Sequence, residues 1–474
     1  YSFVSIPENT VVYVDGKYIG ATPCKSYVSA GAHKITLEKK HFETSNENVV
    51  TKGRLFFSLF SKRKETYSAT LKLTEPDKLM ADSFNEFARW GMVDNFYENY
   101  QPKEVLTPLF VALKVSGFNN TVKMKSFLYS ALPFVHNELL YEDFVNAVVI
   151  FEEITTGENV TISSNITETF TQLKFFKDSV KFMENLPFWF YTLLSEDNRE
   201  SEVSWYPAVQ EDYSVFLGDF QNDYPSAMAR ISIDGMSFIR LSGGQFLAGA
   251  DGSSFPYPVA VKDMFIMDRE VTNELYKLFL VENPDWRKEN IDQLIAENLV
   301  NEDYLKDFEQ SKDDQPVNFV SWYAANAFCK WFEKEMPDYM SDYDVKLPDE
   351  YQWEWAALTD SDDAGIFKSS SLNGALSVSG RYPNGSGIYD LKGNLWEWCD
   401  NWYAPAAGLI TSRNPSYNEP YYGKYPGIEK VVRGGCWAND DIKISDRGSQ
   451  PPSWCTEFSG FRPILVKRID GEER

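Results

Sequence analysis

One stretch constrains what the rest of the chain can fold into: Gly387–Tyr403, GIYDLKGNLWEWCDNWY, in which Trp396, Trp398 and Trp402 fall within a single strand's length. Each tryptophan ring buries roughly 150–250 Å² when it leaves water, so a segment this dense in them belongs inside a folded body. Gly393-Asn394 interrupts it with two residues that accept positive φ. An aromatic strand folded around a tight, oxygen-rich turn is the centre of a core, of a metal site, or of both.

A body around that segment needs apolar material. The 474 residues supply it, at 43% hydrophobic and 16% aromatic, far from a disordered composition. The length accommodates about three domains at ~150 residues each. No run of about 18 apolar residues occurs, so nothing in the sequence reads as a membrane-spanning helix. The formal charge of −24, from 46 basic and 70 acidic residues, argues against nucleic acid as a partner, because phosphate binding needs clustered Lys and Arg.

Histidine gives a sharper exclusion. Only His33, His41 and His136 occur, so residues 137–474 contain none. That removes from the C-terminal two-thirds any Ser-His-Asp triad, Cys-His dyad, HExxH zinc site or two-His iron site. His136 has no second ligand within reach of the sequence and reads as a surface or capped residue. The five cysteines are Cys24, Cys329, Cys399, Cys436 and Cys455, with no CxxC zinc spacing. Cys399, Cys436 and Cys455 could supply one disulfide or remain three buried thiols.

Residues 1–74 read as an all-β domain. Phe3–Pro7 is a strand entering a turn, Val11–Val14 a second strand, Asp15-Gly16 a hairpin turn, and Thr22-Pro23 a further turn. Ala30-Gly31-Ala32 then leads into His33–Lys39, which alternates apolar and polar residues, and Thr66–Leu73 is the last strand. Over about residues 1–72 the pattern from Pro7 to Pro23, with the Ala-Gly-x-His turn, resembles a PEGA domain. That family implies a small β-sandwich of envelope and surface proteins, with an interaction or spacer role. A domain that begins at residue 2 carries the expectation of an upstream leader or lipid or membrane anchor. Leu55–Phe60 followed by Lys62-Arg63-Lys64 reads as a hairpin excursion, with a membrane-facing patch as the other reading.

Residues 75–200 read as an all-α domain. Pro76 takes the favoured first helical position, and further helices are expected at Lys103–Val115, Val122–Ala131, Leu139–Glu153 and Thr167–Met183. Residues 201–230 are expected as a linker packed on its neighbours. From 231 to 474 the pattern is mixed α/β and loop-rich. It opens with a hairpin, Met236–Leu241 turning at Ser242-Gly243-Gly244 into Gln245–Gly249, followed by a strand at Val259–Met267. Thr272 caps a helix with Leu275, Leu278 and Phe279 on its apolar face. The acidic span Asn283–Gln315 is an insertion with short helices. Ser321 caps a helix lined by Trp322, Ala325, Cys329 and Phe332. Asp349 and Gln352 form a capping box for a helix carrying Trp353 and Trp355.

Seven stretches run in one order: Phe246–Gly249, Glu270–Asn273, Pro316–Trp331, Leu347–Ala357, Gly387–Trp402, Arg433–Trp437 and Gly460–Arg462. Together, over about residues 230–468, they resemble the formylglycine-generating enzyme (sulfatase-modifying factor) family. The resemblance implies a compact mixed α/β fold of the C-type-lectin-like kind. Its oxidase chemistry uses two cysteines after the Gly-Gly motif to bind copper(I); those positions fall here on Asn439 and Ile444, neither of which is a thiolate ligand. The three-histidine iron centre of another branch finds only His136 in the helical region. The resemblance also implies structural calcium as the cofactor, with Asn394 and Glu397 as side-chain ligands; no copper is expected, because the sequence departs from the family at the two cysteine positions. Pairing of Glu397 with a core arginine such as Arg433 or Arg462 stays open beside it. The final loops, Tyr403–Tyr425 and Ala438–Ser459, would gather at the fold's ligand-binding face, with Trp454, Tyr403, Tyr421, Tyr422 and Trp437 as aromatic anchors. The expected function is a non-catalytic binding or scaffolding protein of a bacterial cell envelope, extracytoplasmic, whose partner is a protein or surface ligand. The alternative is a divergent enzyme of the family using a thiol or metal site around Cys436 or Cys455.

Overall fold

The computed structural model describes residues 1–52, 64–92, 104–135, 138–159, 221–249, 257–358, 374–404, 427–440 and 442–468. These form two compact units, one N-terminal and one C-terminal. The expected 55–60 excursion, His136, the helix expected at Thr167–Met183, most of the 201–230 linker, Tyr421 and Tyr422 lie outside the described residues.

In the N-terminal unit the strands are β1 (Ser2–Ile6), β2 (Val11–Val14), β3 (Lys17–Ala21), β4 (Cys24–Lys25), β5 (Gly31–Glu38), β6 (Ser45–Thr51) and β7 (Thr66–Thr70). They make two sheets, β4-β1-β7 and β3-β2-β5-β6. The alternating residues Phe3, Val12, Val14, Ile35, Leu37 and Tyr67 fill the space between them. Asp15 and Gly16 both have positive φ, 51° and 77°, which is what a two-residue hairpin loop with the twist of its strands requires. Among the described residues four α-helices follow, α1 (Pro76–Gly91), α2 (Leu106–Val115), α3 (Thr121–Ala131) and α4 (Glu138–Thr156). Edge-to-face rings knit them together, with Phe84–Phe127, Phe84–Phe134 and Phe110–Phe127 centroids 5.7–6.0 Å apart. The carboxylate of Asp143, buried on α4, accepts from the backbone N–H groups of Val105, Leu106 and Thr107 at 2.8–2.9 Å. It thereby satisfies the orphan donors at the start of α2.

The C-terminal unit contains β8 (Ala227–Ile233), β9 (Met236–Leu241), β10 (Gly244–Ala248), β11 (Tyr257–Val261), β12 (Met264–Met267), α5 (Asn273–Glu282), α6 (Ile291–Ala296), α7 (Trp322–Glu335), β13 (Tyr343–Lys346), α8 (Glu350–Ala357), β14 (Trp396–Trp402), β15 (Lys430–Arg433), β16 (Arg447–Gln450), β17 (Ser459–Gly460) and β18 (Ile464–Lys467). A five-stranded antiparallel sheet runs β13-β18-β12-β9-β8, and a four-stranded sheet runs β16-β15-β14-β17. The hairpin expected between Met236–Leu241 and Gln245–Gly249 does not form. β9 pairs instead with β8 and β12, and β10 pairs with β11. The Ser242-Gly243-Gly244 corner hands the chain from one sheet to another, and Asp263 Oδ1 holds it by accepting from Gly243 N at 2.8 Å. Residues 227–230, expected in the linker, are the first half of β8.

The three side-chain caps read from the sequence at Thr272, Ser321 and Asp349 all form. Thr272 accepts from Leu275 N, Ser321 from Ala324 N, and Asp349 and Gln352 form the reciprocal box. The apolar face of α5 differs from the expected one: Tyr276 and Phe279 are buried, while Leu278 is 51% exposed. The reason is register, since Tyr276 stacks on Phe328 of α7 and meets Phe461 edge-on.

Candidate functional site

The Gly387–Tyr403 segment becomes β14 and the turn before it. Gly393 and Asn394 both take positive φ, 78° and 61°. The turn is clasped to the Gly434-Gly435 corner by two backbone bonds: Gly393 N donates to Gly434 O at 2.7 Å, and Trp437 N donates to Asn394 O at 2.9 Å. A side chain at Gly434 would strike Leu391 O at 2.7 Å, so this close approach needs glycine. Of the three tryptophans, Trp398 is fully buried and its indole N–H donates to Val320 O, while Trp396 and Trp402 are half-buried.

Two buried ionic networks flank β14. In the first, Glu397 receives the Arg462 guanidinium in a two-pronged pair, both bonds 2.6 Å, and the Trp353 indole N–H at 2.9 Å. Asn394 Nδ2 donates to Glu270 Oε2 at 2.7 Å, and its Oδ1 accepts from Leu376 N at 2.9 Å. Asp390 Oδ2 accepts from Ser379 N at 2.6 Å. Asp268, fully buried beside them, takes Arg230 and Arg269 as its cations. In the second network, Arg433 donates to Glu354 at 2.7 Å and Arg447 to Glu350 at 2.5 and 3.0 Å. Glu354 also accepts from Gly249 N at 2.8 Å. The two networks meet at Trp353, whose ring lies 5.6 Å from the Arg433 guanidinium carbon.

Every side-chain oxygen of Asn394 and Glu397, the pair named for calcium, thus already accepts an N–H. Of the two core arginines weighed as partners for Glu397, Arg462 takes it and Arg433 goes to Glu354. Among the described residues no three His, Cys, Asp or Glu side chains are grouped to hold a metal. Some buried side-chain oxygens of the described residues have no such donor, and one of them belongs to Glu270, the partner of Asn394. Glu270 Oε1, Asn273 Oδ1, Ser379 Oγ and Asp390 Oδ1 are buried with no hydrogen-bond partner. Burial, then the neighbouring Asp390 and Glu397 carboxylates, push Glu270 well above the usual carboxylate range, and burial raises Asp390 as well. An oxygen-rich set of this kind suits a hard cation and not copper.

Asn439 and Ile444, the two positions that the sequence reading singled out after the Gly-Gly motif, both have structural roles. Asn439 Oδ1 accepts from Cys436 N at 2.8 Å, and Ile444 packs partly buried against the core while its carbonyl accepts from Arg433. All five cysteines are free thiols. Burial pushes the thiols of Cys399 and Cys436 up and that of Cys455 to about 12, so all three are protonated at neutral pH. The aromatic residues named for a surface sit in separate environments. Trp454 is 51% exposed, Tyr403 lies half-buried 4.6 Å beneath the Arg447 guanidinium, and Trp437 packs on Phe458 at 5.7 Å.

The sequence reading missed one cation. Lys430 is buried, with Nζ 4.0 and 4.1 Å from the ring centres of Trp322 and Trp402, and it donates to Asp400 O. Glu270 and the Glu350/Glu354 pair were also missed as ionic residues. The latter are four apart, one helical turn, a spacing that sets two acids on one face.

Comparisons with known proteins agree on the family. The sulfatase-modifying factor enzyme 1-like domain matches residues 223–468, and the PEGA domain matches residues 1–58. An uncharacterized protein of Borreliella burgdorferi is 25% identical over 472 residues, 97% of this chain and 87% of its own length. The serine/threonine-protein kinase pkn1 of Chlamydia pneumoniae is 27% identical over 47% of this chain and 37% of its own length. The formylglycine-generating enzyme of Streptomyces coelicolor is 28% identical over 32% of this chain and 52% of its own length. The chain therefore spans about a third of that kinase and about half of that enzyme.

Proposed function

The chain belongs to the sulfatase-modifying factor enzyme 1-like domain family, and we propose that its C-terminal body is a non-catalytic binding or scaffolding module of a bacterial cell envelope. The observation that carries this reading is the use made of positions 439 and 444. An asparagine amide capping a turn and an isoleucine packed on the core occupy the two positions at which the sequence reading expects the oxidase's thiolates, and this supports the reading. The nearby thiols, Cys436 and Cys455, are buried and held protonated, which disfavours a soft-metal centre assembled from them instead. The PEGA domain supports an extracytoplasmic setting, and among the described residues no helix is long and apolar enough to cross a membrane.

The partner is a protein or surface ligand of the envelope, met by the loops that carry Trp454, Tyr403, Tyr421, Tyr422 and Trp437. Among those in the described residues, Trp454 is the exposed aromatic anchor. The test is to load the purified full chain with copper(I) and to offer it a cysteine-containing sulfatase peptide. No retained copper and no conversion of the peptide cysteine are expected. Thiolate-bound copper in X-ray absorption, or formylglycine in the peptide, would establish the enzymatic alternative.

A further inference from the structure

Helix α5 carries an outward apolar face that its own core does not use. The inner side is complete without it: Tyr276 and Phe279 are buried, and Leu275 and Leu280 pack half-buried against the same core. Leu278 and Val281 belong to a run of four consecutive apolar residues, Leu278-Phe279-Leu280-Val281. Such a run spreads over most of a helix's circumference and cannot all point inward. Leu278 is 51% exposed and Val281 67%, one turn apart on one face. A single exposed aliphatic side chain is ordinary on a protein surface. Two neighbours on a helix that is apolar nearly all round are the pattern of a helix that is covered.

The charges around that face decide what covers it. Glu274 lies one turn before Leu278 and Glu282 one turn after it, both exposed, and Glu282 accepts from the Trp331 indole N–H at 2.8 Å. From Asn273 to Gln315 the chain holds twelve acidic residues against five basic ones. Four of the five bases are engaged within that span. Lys277 pairs with Asp313 and Lys306 with Asp303, Arg287 donates to the Leu280 and Val281 carbonyls, and Lys288 donates to Leu305 O. An aliphatic centre with an acidic border repels anionic lipid headgroups. It also repels its own copy, because a two-fold contact sets the same carboxylates against each other, and the chain's charge of −24 adds to that. What it complements is the apolar face of a cationic helix. We propose that the outer face of α5 docks a basic amphipathic helix of a partner protein. Apolar side chains of that helix pack on Leu278 and Val281, and its lysines or arginines reach the acidic border. The surface is built from other residues than the loop aromatics, so it stands or falls independently of them.

The experiment uses the full chain and a synthetic amphipathic peptide of leucine and lysine, with binding read by calorimetric titration. The parent should bind the peptide, and less tightly as salt rises. A peptide of the same composition in scrambled order, with no apolar face, should bind about tenfold less tightly or worse. The double variant Leu278→Ser, Val281→Ser should also lose about tenfold or more. Val50→Ser, at a valine 68% exposed in the N-terminal unit, should leave the affinity unchanged. Because both α5 positions are exposed, the double variant should unfold at the parent's temperature. Equal affinity of the double variant, or of the scrambled peptide, would reduce the contact to bulk charge and overturn the proposal. A drop in the double variant's unfolding temperature would overturn it too, by showing that Leu278 and Val281 are packed within the chain. Dimerisation of the parent that the double variant abolishes would give the face to a second copy instead. Binding to phosphatidylglycerol vesicles that the double variant abolishes would give it to a membrane.

Discussion

At the scale of single residues the interior charges make opposite demands on pH and packing. Burial lowers the Lys430 ammonium to about 8, while the two indole faces at 4.0 and 4.1 Å favour its charged form. The folded value lies below the ordinary lysine value, so between about pH 8 and pH 10.5 the unfolded chain binds more protons than the folded one. Stability must therefore rise with pH across that window. The expected gain is about 1–3 kcal/mol, the cation–π contacts trimming it from the upper figure. Lys430→Met should abolish the slope, which urea melts at stepped pH would measure; an unchanged slope would assign it to other groups. The Glu397–Arg462 pair behaves differently. Arg462→Met leaves Glu397 buried without its cation, with the Trp353 N–H as a neutral hydrogen-bond donor, and should cost about 3–5 kcal/mol in denaturant unfolding.

At the scale of elements, Asp143 is the sharpest case, because one side chain closes the start of a helix far from it in sequence. Asp143→Ala strands the N–H groups of Val105, Leu106 and Thr107 and should destabilise the N-terminal unit by about 2–4 kcal/mol. Asp143→Asn, which keeps an acceptor, should recover part of the loss. The contrast with Thr272, Ser321 and Asp349 explains what could be read from the sequence. Those caps act within three residues and leave a local signature, as does the Asp15-Gly16 turn. Asp143 acts across about 36–38 positions and leaves none. The pairing of β9 was misread for the same reason. Ser242-Gly243-Gly244 has the composition of a hairpin, but β9 is already paired on one side with β8 through its own tight turn and on the other with β12 farther along the chain, which leaves it a corner. The acids and arginines of the candidate site were visible as residues, but their pairing was not. Glu397 could have gone to Arg433 or Arg462 on chemistry alone; the register of β14 and β15 even sets it opposite Arg433, but Arg433 is taken by Glu354 of α8 and Arg462 is left to Glu397.

At the scale of the whole molecule, each compact unit has its own core, so calorimetry should resolve two unfolding transitions. Asp143→Ala should move one and Arg462→Met the other; a single transition shifted equally by both would show instead that the units unfold together. Trp454→Ala belongs to this scale too. It should abolish capture of an envelope partner by the full chain while leaving both transitions in place, and undiminished capture would remove Trp454 from the binding surface.

The clasp between Gly393-Asn394 and Gly434–Trp437 has a consequence for how such a chain can change over time. The two backbone bonds hold the root of the loop that contains positions 439 and 444, and neither bond involves a loop side chain. Loop identity and frame integrity are thereby decoupled. A library randomised over 438–442 should yield mostly folded proteins, whereas the same diversity at 393–394 or 434–435 should yield almost none. The frame holds its shape through main-chain bonds, so the side chains of the loop it carries can be exchanged without rebuilding the body beneath.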